Sequence, residues 1–245
     1  MKSDAKSTIE TGKAILGIEL GSTRIKAVLI DQENKPIAQG NHTWENQLVD
    51  GLWTYSIEAI WSGLQDCYAD LRSNVKNLYG IEIENLAAIG VSAMMHGYMP
   101  FNAKEEILVP FRTWRNTNTG RAAAALSDLF VYNIPLRWSI SHLYQAILDN
   151  EAHVKDIDFL TTLAGYVHWQ LTGEKVLGIG DASGMLPIDP TTHNYSAEMV
   201  AKFDKLIAPN QYNWTLQDIL PKVLSAGESA GVLTPEGSKK LDASG

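Results

Sequence analysis

The stretch Gly17-Ile18-Glu19-Leu20-Gly21-Ser22-Thr23-Arg24-Ile25-Lys26 decides how this chain folds. Residues 14–18 and 25–30 are apolar runs that predict two strands, with Gly21-Ser22-Thr23 as the turn between them. Gly21 lets the backbone turn tightly and come close to a ligand. Successive N–H groups in such a turn form a concave site for an anion. Ser22 and Thr23 add hydroxyls, and Lys26 adds a positive charge one short step along the second strand. Glu19 offers a carboxylate to a hydrated Mg²⁺, an ion that rides on substrate phosphates and keeps several waters. Phosphoryl transfer is catalysed mainly by positioning and charge neutralisation, and these residue types supply both. Taken alone, the stretch is described better by an ordinary hairpin turn with an exposed acid and lysine. It is not a Walker A loop, which needs four residues between its glycines and then Lys-Ser/Thr.

Working outward, residues 31–35 read as a turn and residues 36–43 as a third strand. A long helix follows, because Ile57, Ile60, Trp61, Leu64, Tyr68, Leu71, Val75 and Leu78 recur at helical spacing. Ser56 is its N-cap and Gly80 its stop. Residues 86–91 predict a buried strand that opens into the loop 92–97. A hairpin is expected from residues 98–101 and 107–109 around Asn102-Ala103-Lys104. Further helices are expected over residues 119–129, 141–148, 160–171 (ending at Gly173) and 202–207, and over 216–224, where Pro221 interrupts. A meander, a helix, a strand and then more mixed material is the order of the ribonuclease-H-like layer fold: an α/β architecture with a mixed sheet flanked by helices.

Composition narrows the classes of function. The chain has 245 residues, 45% hydrophobic, which is enough for a sizeable core. With 20 Lys+Arg against 28 Asp+Glu, the net charge of -8 gives no electrostatic footprint for nucleic acid or an anionic membrane. An anionic ligand would need a local device. The lone cysteine, Cys67, lies in an apolar helical stretch and reads as a buried small side chain in a reducing, cytoplasmic setting. No apolar run reaches the roughly 20 residues of a membrane helix. Residues 1–13 read as a mobile leader, residues 14–224 as the main domain, and residues 225–245 as a linker-like tail.

Three other segments carry polar chemistry. Met94-Met95-His96-Gly97 leaves a buried strand through a glycine-containing loop, a common ligand position in α/β sheets. His96 suits a sugar hydroxyl and Met95 a sugar's carbon skeleton, although a lone histidine is more often a satisfied core-edge residue. Arg112-Thr113-Trp114-Arg115-Asn116-Thr117-Asn118 surrounds one aromatic with amide and guanidinium donors, as a polyol site needs, and reads equally as a strand rim with Trp114 half buried. In Gly180-Asp181-Ala182-Ser183-Gly184, Asp181 can cap a helix, its ordinary role, or face a cleft.

Taken together and in this order, the segments resemble the FGGY family of carbohydrate kinases. Residues 17–26 match its opening phosphate segment, Met95 to Gly97 resemble the xylulokinase branch, and Trp114 matches the aromatic of the next motif. Asp158-Phe159-Leu160, Leu171-Thr172-Gly173 and Gly180-Asp181-Ala182-Ser183-Gly184 match a further block. The resemblance implies an actin-like ATPase fold, of which this chain is the N-terminal lobe, with sugar and nucleotide between two lobes. It implies transfer of the γ-phosphate of ATP, with Mg²⁺, to a hydroxyl of a small sugar such as the ketopentose xylulose. Gly21, Ser22, Thr23 and Lys26 would contact phosphate, Glu19 the metal, and Met95, His96, Gly97, Trp114, Asn116 and Asp181 the sugar. The family's general base is an Asp after Gly at the start of the second lobe, which binds adenosine, and no residue here matches it. The chain alone is therefore expected to be inactive. Glu19 stands where the family usually has Asp, and Asn116 where it has an acid, with Arg121 lying beyond the spacing of the family's later Arg. A catalytically silent sugar- or phosphosugar-binding module of the same fold is the alternative. A homodimer is carried as a further option for partners.

Overall fold

The computed structural model describes residues 2–244. In chain order the elements are α1 (Lys2–Glu10), β1 (Ile15–Leu20), β2 (Arg24–Ile30), β3 (Pro36–Thr43), β4 (Gln47–Val49), β5 (Leu52–Thr54), α2 (Ile57–Tyr79), β6 (Ala88–Ala93) and β7 (Met99–Phe101). Then come α3 (Gly120–Phe130), α4 (Ser139–Leu148), β8 (Phe159–Thr161), α5 (Leu163–Thr172), β9 (Val176–Gly178) and α6 (Ile179–Ala182). The chain closes with β10 (Ile188–Asp189), β11 (Asn194–Tyr195), α7 (Ala197–Ile207), α8 (Leu216–Ile219), β12 (Lys222–Leu224) and α9 (Pro235–Leu241). These elements form two compact units, Met1–Asn46 with Ser56–Met94 and Leu233–Gly245, and Gln47–Tyr55 with Met95–Val232.

The first unit is built on a mixed four-stranded sheet in the order β3-β2-β1-β6. β1, β2 and β3 form the expected antiparallel meander, and β6 lies parallel to β1. A parallel return needs a crossover, and α2 supplies it. Strict alternation sends Leu16, Ile18, Leu20, Ile25, Ala27 and Leu29 into the core. Ile60, Leu64, Cys67, Leu71 and Val75 of α2 are buried as well, each large side chain contributing roughly 1.5–3 kcal/mol. Ser56 caps the helix by accepting from the Ala59 N–H, and Gly80 ends it in the left-handed region, both as the sequence indicates. α2 lies so close to β3 that a Cβ on Gly40 would sit 2.2 Å from the Cys67 carbonyl oxygen.

Two terminal expectations change. Residues 2–10, within the stretch read as a mobile leader, form α1, and its Ile9 is buried. The tail read as a linker contains α9, capped by Thr234 and with Leu241 buried. Arg72 of α2 donates from Nη1 to both carboxylate oxygens of Asp242 at 2.8 Å, so that acid ties the segment after α9 to α2. Polar composition hid both segments, since one buried side chain per turn is enough to hold a short helix to a core.

The second unit gathers Tyr98, Leu126, Leu143, Leu160, Phe203 and Leu216 in one core with neighbouring aliphatic residues. β7 pairs antiparallel with β8, and residues 107–109 also return against it, through the Phe101–Ile107 bridge and the Leu108 N–H donating to the Pro100 carbonyl at 2.9 Å. Residues 159–161 are therefore strand, not the start of a helix. Thr162, accepting from the Gly165 N–H, starts α5 behind them. α7 likewise begins earlier than expected, behind Ser196, which accepts from the Met199 N–H. β4 and β5 form a hairpin around Asp50 and Gly51, both at positive φ, the geometry that an Asp-Gly turn adopts.

Candidate functional site

In the first unit, β1 and β2 meet at Gly21-Ser22-Thr23. The Gly21 N–H donates to the Arg24 carbonyl at 2.9 Å, which closes the hairpin. A Cβ on Gly21 would lie 3.0 Å from that same carbonyl oxygen. Gly21 thus contributes close approach of the backbone rather than a free donor. Trp44 brackets the turn: its Nε1 donates to the Gly21 carbonyl at 2.7 Å, and its backbone N–H donates to the Thr23 carbonyl at 3.2 Å. Glu19 and Lys26 are cross-strand partners, and Ser92 lies opposite Glu19 on β6. All three are exposed, on the sheet face opposite the buried leucines. That face forms a groove of about 430 Å³ lined by Gly17, Glu19, Lys26, Gly90 and Ser92 among others. No group of three or more His, Cys, Asp or Glu able to hold a metal occurs among the described residues. A single carboxylate beside a lysine fits Mg²⁺ only in the form that keeps its waters and leans on substrate phosphate.

In the second unit, the loop Met95-His96-Gly97 is held in an unusual backbone path. His96 and Gly97 have φ of 70° and 95°, a left-handed pair that costs His96 strain and suits Gly97. A Cβ on Gly97 would meet the Arg112 carbonyl oxygen and Phe111 Cε2 at 2.7 Å. Ser139, at the start of α4, donates to the Gly97 carbonyl at 2.6 Å. The His96 ring rests on Gly184, with Nδ1 and the Gly184 carbonyl 3.3 Å apart. Burial holds the imidazole below its usual pKa, the Gly184 contact opposes this, and the nearby Arg137 charge adds to it. His96 is therefore a neutral donor–acceptor at neutral pH, as recognition of a hydroxyl requires. Met95 is exposed.

Asp181 lies inside α6, whose N-cap is Gly178, so the capping role does not apply. Its Oδ2 accepts from Thr162 Oγ1 at 2.5 Å, while its Oδ1 has no hydrogen-bond partner among the described residues. Burial raises its pKa, and the Thr162 bond only partly opposes the rise. Deeper still, Arg112 forms a two-pronged pair with Glu151, and Tyr98 OH and His153 Nε2 are 2.8 Å apart. Burial pushes the pKa of His142 down to about 3, helped by the charge of Arg112, and neither of its ring nitrogens has a hydrogen-bond partner among the described residues.

The Trp114 segment is arranged differently from a simple row of donors. Trp114 is partly exposed, but Asn116 is buried and turned toward backbone. Its Oδ1 accepts from the Trp53 N–H at 2.9 Å, and its Nδ2 donates to the Trp53 carbonyl at 2.8 Å and the Thr113 carbonyl at 3.1 Å. The guanidinium of Arg115 stacks on the Trp53 ring, 3.6 Å from its centroid. Trp53 and Arg137 were not singled out by motif. The Asp50-Gly51 hairpin signal was available for Trp53, whereas nothing local marked Arg137.

Residues 14–244 match the model for the N-terminal domain of the FGGY family of carbohydrate kinases. The chain belongs to that family. A xylulose kinase of Escherichia coli is 20% identical over 231 residues, which are 91% of this FGGY chain and 45% of the relative. A xylulose kinase of Haemophilus influenzae is 22% identical over 240 residues, 90% of this chain and 46% of the relative. The chain thus spans less than half the length of these relatives. Among solved structures, the ligand-bound xylulose kinase of Lactobacillus acidophilus superposes with a TM-score of 0.76 at 20% identity, covering 94% of this chain and 45% of the other. Plasmodium falciparum glycerol kinase with ADP gives 0.70 at 16% identity, covering 94% and 46%. The fold of this FGGY chain is accordingly the actin-like ATPase fold. No helix among its described residues is long and apolar enough to cross a membrane.

Proposed function

We propose that this chain is the N-terminal part of an ATP-dependent kinase that phosphorylates a hydroxyl of a small sugar, with a ketopentose such as xylulose as the first compound to try. The observation that carries the reading is the His96–Gly97 loop. Two left-handed residues, a Gly184 floor and the Ser139 bond hold a neutral imidazole at a fixed angle, beside the unpartnered carboxyl oxygen-bearing segment of Asp181. In this reading His96 and Asp181 hold sugar hydroxyls, Met95, Gly97 and Trp114 shape the carbon skeleton's seat, and Asn116 positions. Gly21, Ser22, Thr23 and Lys26 face phosphate, and Glu19 holds the outer water shell of Mg²⁺. ATP supplies the phosphoryl group. The reading places the protein in the cytoplasm.

The general base lies outside this set, so the chain alone is expected to bind sugar without turning it over. General-base catalysis is typically worth 10²–10⁴-fold. Calorimetric titration with xylulose should show saturable binding that His96→Ala weakens about tenfold, and ADP release from Mg-ATP should stay at background. Absence of binding by any pentose or polyol would sink the reading, and brisk ADP release would sink the claim of inactivity. A second reading, a binding module that has lost catalysis, is favoured by Gly21, whose N–H is already taken by Arg24. It predicts phosphosugar binding without turnover in a chain that includes both lobes.

A further inference from the structure

The second unit contains a cavity of about 280 Å³ lined by Trp114, Arg115, Thr117, Leu136 and Arg137. In this chain of net charge -8, three of the six arginines pair with carboxylates: Arg72 with Asp242, Arg112 with Glu151 and Arg121 with Asp149. Neither Arg115 nor Arg137 has an ion-pair partner among the described residues. Two guanidinium groups that line one cavity without a carboxylate partner offer fork-shaped donors to an anion.

The cavity is also built rather than incidental. Asn116 clamps both backbone polar groups of Trp53, and the Trp53 ring carries the Arg115 guanidinium flat on its face. Stacking uses the faces of the guanidinium and leaves its in-plane N–H fork for a ligand. Elsewhere in the lining, Thr119 Oγ1 donates to the Leu136 carbonyl and the Gly97 N–H donates to the Arg137 carbonyl at 3.3 Å. The same strap thus fixes Arg137 and the His96 loop, and the Arg137 charge is felt at His96. Trp114 and Leu136 present partly exposed apolar surface to the cavity, suited to the C–H face of a short carbon chain.

We propose that Arg115 and Arg137 bind an anionic group, a carboxylate or a phosphate, carried by the sugar whose hydroxyls His96 holds, so that the substrate class is an anionic sugar rather than a neutral ketose. This rests on the sugar-kinase reading and changes the substrate within it.

The test is calorimetric titration of the chain with D-gluconate, D-ribose 5-phosphate and D-xylulose at low and high salt. At least one anionic compound should bind tenfold or more tighter than xylulose, with affinity falling as salt rises. The anion that binds tells carboxylate from phosphate. Arg137→Gln and Arg115→Gln should each cost about tenfold in anion affinity, well beyond any change in xylulose affinity. Lys155→Gln, which removes an exposed charge elsewhere in the same unit, should change neither. Both arginines are exposed, so unaltered thermal unfolding will show that the variants fold. Xylulose binding as tight as either anion, with both arginine variants silent, overturns the inference and leaves the kinase reading standing. No binding of any of the three compounds removes both.

Discussion

The side-chain amide of Asn116 bonds both backbone polar groups of Trp53, accepting from its N–H at 2.9 Å and donating to its carbonyl at 2.8 Å. A side chain that satisfies a strand residue in this way acts as a surrogate strand. It ties the Asp50-Gly51 hairpin to the Trp114 segment within one unit. This explains why an amide suits the position: it offers a donor and an acceptor side by side on one short planar group.

Asn116→Asp is therefore a severe change despite its small size. The carboxylate would face the Trp53 and Thr113 carbonyl oxygens, acceptor against acceptor. Loss of the two Nδ2 bonds and burial of an unsatisfied charge should cost about 2 kcal/mol or more. Repulsion by the carbonyls raises the folded-state pKa of the new acid, so the cost should shrink as pH falls through that pKa. Urea unfolding at pH 7.5 and pH 4.5 checks this. A cost that is small, or that grows at the lower pH, would contradict the assigned bonding.

Gly184 is the floor beneath His96. A Cβ there would lie 2.6 Å from His96 Nδ1 and 3.0 Å from Cε1. The imidazole is the end of a side chain and can swing away, so Gly184→Ala should fold, with a stability loss of about 1–3 kcal/mol typical of overpacking. Sugar affinity should fall by tenfold or more because the ring no longer points where the loop aims it. Titration calorimetry beside thermal unfolding separates the two effects. Unchanged affinity would mean His96 does not touch the ligand.

What the sequence disclosed follows from the range of the forces involved. The meander and α2 were legible because alternation, helical spacing, Ser56 and Gly80 act within a few residues of each other. Glu19 and Lys26 were legible as residues flanking the turn, and the structure pairs them because a short hairpin fixes register. β8 was not legible. Phe159-Leu160 continues smoothly into an apolar helix, and its partner β7 lies far back in the chain. Asp50-Gly51 is a local turn signal, but the strands it joins, β4 and β5, are only three residues each, too short to mark Trp53 by alternation. Asn116 was seen as a polar residue beside an aromatic, but its partner was not, because a side-chain-to-backbone clamp across distant segments leaves no pattern in one sequence. Arg137 is placed beside Arg115 by a fold contact between segments some twenty residues apart, which no motif records.

The close approach of α2 to β3 gives a stability prediction. A Cβ on Gly40 would meet backbone at 2.2 Å (Cys67 oxygen) and 2.5 Å (Leu71 nitrogen), so neither neighbour can yield by a rotamer change. Gly40→Ala must push the helix off the sheet and should cost 3 kcal/mol or so, at the upper end of overpacking. Cys67 reports on this. Burial, with the nearby Asp70 charge, pushes its thiol pKa up to about 12, so it should resist alkylation in the native protein. In Gly40→Ala it should label measurably faster at pH 8. Equal labelling rates and equal unfolding midpoints would show that the sheet and helix are less tightly joined than the structure has them.

Asp181 carries the last prediction. Its carboxyl is buried with one oxygen unpartnered, and burial raises its pKa above that of the unfolded chain, with only the Thr162 bond working the other way. A folded state with the higher pKa binds more protons than the unfolded state between the two values. The contribution of Asp181 to stability is thus fully present below the unfolded pKa and is lost as pH rises through the folded one. Asp181→Asn keeps the shape and an acceptor for Thr162 but has no charge to bury. The variant should therefore unfold at a higher urea concentration than wild type at pH 8, with the gain vanishing as pH is lowered toward 4. If Asp181 also holds a sugar hydroxyl, the same variant should bind sugar more weakly at pH 8 while being the more stable protein. A structural residue would not show that opposition. Stability and affinity moving together would leave Asp181 a packing residue and remove it from the sugar site.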